Sequence, residues 1–147
     1  MYELTLSLDQ LPKSLNVKFT SNRWGRSKEN KHFDQIIAML SFKNMPKSPL
    51  EFAHISITRH FWRTLDYDGL VGSMKPVVDA LVTCGVLKDD SWKVTGPWQV
   101  NQVFRPKKLG PLLEIRITEP EPSHVQSKHE GARVYKVKRV RGEAITS

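Results

Sequence analysis

Asp66, Asp68, Asp79, Asp89 and Asp90 fall within one stretch, 64-TLDYDGLVGSMKPVVDALVTCGVLKDD-90, of a chain that is otherwise basic. Carboxylates gathered in this way repel one another unless a cation sits among them. Three or four hard oxygen donors suit Mg²⁺, which keeps water and substrate phosphate in its remaining positions. Such an ion can activate water and steady the leaving oxygen in phosphodiester hydrolysis. The plainer reading is that aspartates cap helices and favour turns. Asp79 then only pairs with Lys75 at i, i+4, and Asp89-Asp90 only builds a turn.

The elements around this stretch decide which reading holds. Residues 52–62, FAHISITRHFW, are β-branched and aromatic with Ile55, Ile57 and Phe61 on one face, which predicts a strand running straight into Asp66. On an extended continuation, Asp66 and Asp68 share a side. Gly72-Ser73 offers a helix start, Pro76 is tolerated in a first turn, and Met74, Val77, Val78, Leu81 and Val82 mark a buried stripe. That predicts a helix from about Ser73 to Cys84, stopped by Gly85, after which the chain turns back to deliver Asp89-Asp90.

Elsewhere, residues 2–8, YELTLSL, alternate as a first strand and end at Leu11-Pro12. Residues 13–31 are polar and basic, centred on Asn22-Arg23-Trp24-Gly25-Arg26, and read as a loop leading into an amphipathic helix carrying Phe33, Ile36, Ile37 and Leu40. Residues 98–104 and 112–118 both read as strands, and the basic turn Arg105 to Gly110 between them suggests a hairpin. From Glu119 onward two early prolines and many charges predict a mobile basic tail.

At 147 residues and 39% hydrophobic, the chain suits one domain with a real core. Its net charge of +8 points to a polyanionic partner. The charge is unevenly spread: residues 12–49 hold eight Lys/Arg against two acids, residues 91–118 five against one, and residues 64–90 two against five. An acidic island between basic flanks makes little sense beside DNA phosphate unless a cation offsets it. Cys84 is the single cysteine, so neither an intrachain disulfide nor a cysteine-based zinc site can form; packing at a helix end is its expected role. No apolar run approaches the ~18 residues needed to cross a bilayer, and we expect a soluble intracellular protein with no membrane partner.

The pattern Asp66-x-Asp68, Lys75-x-x-x-Asp79-x-Leu81, Gly85-x-x-x-Asp89-Asp90 resembles the signature of the RusA family of Holliday junction resolvases. The segment 11-LPKSLN-16 and the closing strands through Thr118 are similar more loosely, so the resemblance spans residues 2–118 and omits the tail of residues 119–147. It implies a small mixed α+β domain with a mixed sheet and two main helices, homodimeric, binding Mg²⁺ with Mn²⁺ as a substitute. It further implies paired cuts in opposed strands of a four-way DNA junction during recombination and repair, in a bacterial or phage-infected cytoplasm. Carried over residue by residue, Asp66, Asp68 and Asp90 become metal ligands and Lys75 the positive group near the scissile phosphate. Asp79 and Asp89 are further candidates for the same site. The chain departs from the family at Gly69, where Asn is usual, and in 70-LVGSMK-75, which is longer than the usual connection.

For backbone phosphates the candidates are Lys13, Arg23, Arg26, Lys28 and Lys31, with Arg105, Lys107 and Lys108; Trp24 is the candidate for stacking on a base. Three rival readings compete with this one. A catalytically degenerate branched-DNA binder would keep the basic flanks and lose the chemistry. Asp66-Tyr67-Asp68-Gly69 is also similar to the opening motif of haloacid dehalogenase-type phosphatases, but that motif follows the first strand of a larger doubly wound domain. An EF-hand loop needs a third acid and a glutamate at its twelfth position, which are missing here. His54 and His60 lie opposite Ile55 and Ile57 and read as surface histidines.

Overall fold

In the computed structural model, residues 2–13 and 23–120 are described, residues 23–27 by their backbone course alone. The expected tail, beyond Pro120, lies outside the described residues. The fold is a small mixed α+β domain: a four-stranded mixed sheet with helices against one face.

Strand β1 (Glu3–Leu8) buries Leu4, Leu6 and Leu8 and exposes Glu3, Thr5 and Ser7, as strict alternation requires. Helix α1 (Arg23–Ser41) sets Phe33 and Ile37 one turn apart in the core. Its last residue, Ser41, is fully buried because its hydroxyl donates to the Ile37 carbonyl at 2.6 Å. Arg23, Trp24, Arg26, Lys28 and Lys31 therefore belong to a helix and not to a loop. Helix formation begins a good two turns before the apolar periodicity that reveals it.

Strand β2 (His54–Phe61) buries Ile55, Ile57 and the stem side of Arg59. Arg59 donates to the Arg63 carbonyl at 2.8 Å and lies 4.6 Å over the Phe61 ring, which offsets the cost of its burial. Three further helices follow: α2 (Tyr67–Ser73), α3 (Lys75–Thr83) and the single turn α4 (Trp92–Thr95). The single helix expected from Ser73 is thus two, the first starting at Asp66. They break at Met74 because Pro76 has no N–H for the Gly72 carbonyl and its ring crowds that oxygen. Strands β3 (Gln99–Phe104) and β4 (Leu112–Thr118) complete the sheet.

Strand order is β1-β4-β2-β3. β4 is antiparallel to both neighbours, with Ile115 opposite Leu6 on one side and Ile57 on the other. β3 runs parallel to β2, Val100 opposite Ile57. The expected β3–β4 hairpin does not form; the segment between them, braced by a 3₁₀ turn at Lys107–Leu109, carries the chain past β2 to the far side. The apolar sides of β1, β2 and β4 meet Phe33, Ile37, Val77, Val78 and Leu81 in one cluster, and α1 packs on α3 across it. The opposite face is polar, crossed by Arg116–Glu3 at 2.7 Å and His60–Glu114 at 2.6 Å. Cys84 packs at the edge of the core beside Ser41. No helix among the described residues is long and apolar enough to cross a membrane.

Candidate functional site

The site grows from the carboxyl end of β2. There the Phe61 and Trp62 rings stack at 3.8 Å, and Leu65 is held by an amide clamp from β3. The Leu65 N–H donates to Gln102 Oε1 at 3.0 Å while Gln102 Nε2 donates to the Leu65 carbonyl at 2.8 Å. This fixes the backbone one residue before Asp66. Gln102 could not be singled out from the sequence, since its partner lies 37 residues away.

Asp66 is the N-cap of α2, its Oδ1 accepting from the Gly69 N–H at 3.1 Å. Asp68 stands in the first turn of the helix, exposed, where a negative charge suits the helix dipole. The two carboxylates are therefore not paired on one side of an extended segment, as the strand reading expected. A Cβ on Gly69 would stand 2.6 Å from Asp66 Oδ1, so a side chain there requires the carboxylate to shift from its present position. Asp66→Ala is expected to cost about 1 kcal/mol of stability, while Asp66→Asn, an equally good cap, keeps it; denaturant titration separates the two. Equal losses in both variants would show that charge and not capping holds this helix end.

Lys75 opens α3 and joins two of the acids. Its Nζ lies 2.9 Å from Asp79 Oδ1, one turn along, and bonds Asp90 Oδ2 from the returning loop. Burial draws the Lys75 ammonium down, but the hydrogen bonds and charges of Asp90 and Asp79 outweigh it and leave its pKa above the ordinary lysine value. The bond from Lys75 is in turn what holds the Asp90 carboxyl below its ordinary value. Asp89 Oδ1 accepts from the Asp90 N–H at 2.7 Å, shaping the turn. Asp79 pairs with Lys75 and Asp89 shapes the turn, as the plainer reading expects, whereas Asp90 also bonds Lys75, which that reading did not foresee; Lys75 is the cation between Asp79 and Asp90.

All six candidates are hard oxygen donors or a cation, a set that suits Mg²⁺ in kind. In placement, no three His, Cys, Asp or Glu side chains among the described residues are grouped so as to hold an ion. Asp66 is engaged by Gly69, and Asp90 by Lys75.

Asp34 on α1 is half-buried, and burial, then the charge of Asp79, push its carboxyl above the ordinary value. A raised carboxyl pKa means that ionisation costs stability: the cost is absent below about pH 3.9 and complete above the folded pKa. Asp34→Asn is therefore expected to raise Tm by about 1–2 °C at pH 7 and to leave it unchanged at pH 3, read by circular dichroism. A gain at both pH values would assign it to something other than ionisation.

The basic candidates fall in two places. The Lys13 N–H donates to Glu29 Oε2 at 2.8 Å, and Lys13 and Lys28 line a small cleft with His32. Lys28 and Lys31 are exposed on α1. Lys107 and Lys108 are exposed in the 3₁₀ turn. Arg105 instead braces that turn, its Nε donating to the Gly110 carbonyl at 2.8 Å and its Nη2 to Leu109 at 3.3 Å. The side chains of Arg23, Trp24 and Arg26 lie outside the described residues.

Compared with models of known protein families the chain matches none, and it matches no curated protein.

Proposed function

We propose that the chain is a RusA-like, Mg²⁺-dependent, structure-selective DNA endonuclease that acts as a homodimer on four-way junctions. The observation that carries this reading is that Lys75 holds Asp79 and Asp90 together, within a stretch whose acids and lysine follow the order of the family signature, with Gly69 and the longer 70–75 connection as its departures. Asp66 and Asp90 would have to leave Gly69 and Lys75 to hold the ion together with Asp68; when bound, it would activate water and neutralise charge at the phosphate. Lys75, already held among carboxylates and half-exposed, is suited to offset charge on the phosphate once Asp90 is engaged elsewhere. Exposed lysines on α1 and in the 105–110 turn would hold backbone phosphates without reading sequence.

The reading is tested by incubating an end-labelled four-way junction and a linear duplex with the protein in Mg²⁺, in Mn²⁺ and in EDTA. Symmetric nicks confined to the junction with a divalent ion support it. Tight, salt-sensitive junction binding without cutting supports the second reading, a degenerate branched-DNA binder, which the capped Asp66 beside Gly69 favours. The phosphatase reading has little support, since a mixed sheet with one parallel pair is not the doubly wound sheet in which that motif sits.

A further inference from the structure

A cleft of about 370 Å³ opens beside Asp90. One wall is α2, through Tyr67 and Val71 a turn apart; the other is the segment from Trp92 to Trp98. This volume lies toward the small end of ligand clefts, roughly 300–1,000 Å³. Tyr67 is 72% exposed and Trp92 56%, so two large aromatic faces stand against water. Trp98 is held in place: its indole N–H donates to Thr95 Oγ1 at 3.2 Å, and the Thr95 hydroxyl donates to the Gly96 carbonyl at 2.8 Å. Gly96 has φ 59°, a conformation that favours glycine, and it brings no side chain into the cleft floor.

We infer that this cleft receives one unpaired nucleobase of a DNA strand. Aromatic rings suit a flat π-system, and the Asp90 carboxylate at the rim is an acceptor for the N–H groups that every unpaired base carries on its pairing edge. Lys93, exposed next to Trp92 and paired with no acid among the described residues, is the cation open to the strand's phosphates, while Lys75 is half-exposed but already held by Asp79 and Asp90. A fully paired duplex has no free base to offer, so the cleft selects for single strands and for branch points at which a base is unpaired. The inference rests on the proposed reading that the chain engages DNA, and adds what it recognises there.

The test is fluorescence anisotropy in EDTA, with labelled mixed-sequence single-stranded 12-mers and a blunt duplex of the same length. The proteins are the full chain, Trp92→Ala and Trp92→Phe, each checked for folding by circular dichroism. Trp92→Ala is expected to weaken single-strand binding about tenfold and to leave duplex binding within about twofold, while Trp92→Phe, which keeps a ring, stays within about threefold of wild type. Equal losses for both DNAs, or no loss in a folded Trp92→Ala, would overturn the base pocket while leaving the nuclease reading standing. No binding of the single strand by wild type would also overturn the base pocket, while the nuclease reading would still stand or fall on the junction assay with a divalent ion. A switch from dimer to monomer in Trp92→Ala by sedimentation, with DNA binding unchanged, would make the cleft a contact between two copies and would likewise overturn it.

Discussion

If the chain is the nuclease proposed above, Asp68→Asn is expected to lower its Mg²⁺-dependent cleavage of a four-way junction by at least about 10²-fold, the scale on which removing one charge-stabilising group acts in a catalytic site. The substitution is nearly isosteric. The Asp68 side chain is exposed and makes no ion pair or hydrogen bond with the described residues, so stability should move by no more than about 0.5 kcal/mol. Asp66 and Asp90 offer no such separation, because each also holds a piece of structure. Cleavage is read from end-labelled products and stability from a parallel denaturant titration. Cutting at the wild-type rate by the folded variant would remove Asp68 from the chemistry and with it the strongest link between the acidic island and hydrolysis.

The largest effect on stability is expected at the centre of the sheet. Ile57 is fully buried on β2, with Ile115 of β4 on one side and Val100 of β3 on the other. Ile57→Ala removes methyl groups from a site that three strands and the helix layer hold rigid, so the cavity cannot collapse. A loss of about 3–4 kcal/mol follows, and a fall in Tm on the order of 10 °C. Small domains have only about 5–15 kcal/mol in total, so the variant should remain folded at 25 °C with a much lower denaturation midpoint and an unchanged slope. Phe42→Ala is the matched control: Phe42 is 76% exposed, and its loss should be within about 0.5 kcal/mol. Similar costs at the two positions would mean that the core has been misplaced.

Element types were legible wherever burial imposes a period. Leu4-Leu6-Leu8, Ile55-Ile57, and Leu113-Ile115-Ile117 alternate because one side of each strand faces the core, and those strands appear within a residue or two of their expected bounds. Pairing was not legible, since nothing local distinguishes a turn that folds back from one that crosses over; residues 105–110 have hairpin composition and make a crossing. The helix start at Asp66 was hidden by reading Asp66-x-Asp68 as paired ligands when Asp followed three residues later by a free N–H is also a cap. Of the candidate site, Lys75, Asp79 and Asp90 do meet, because a helical turn and a glycine stop bring them together. Only the fold puts Trp92 and Trp98 across from Tyr67.

The position of β4 governs the order in which the molecule can be made. The last of the described strands to leave the ribosome fills the seam between the first two, with Thr118 beside Glu3 and also beside His54. Until residues 112–118 emerge, β1 has no partner strand among the described residues and β2 only half of its ladder, so the sheet closes after nearly the whole described chain has been synthesised. Closing it requires contacts across more than a hundred positions, which favours slow, late folding. A nascent chain stalled before Leu112 would expose both edges of β1 and one side of β2, and is the species a chaperone would have to shield.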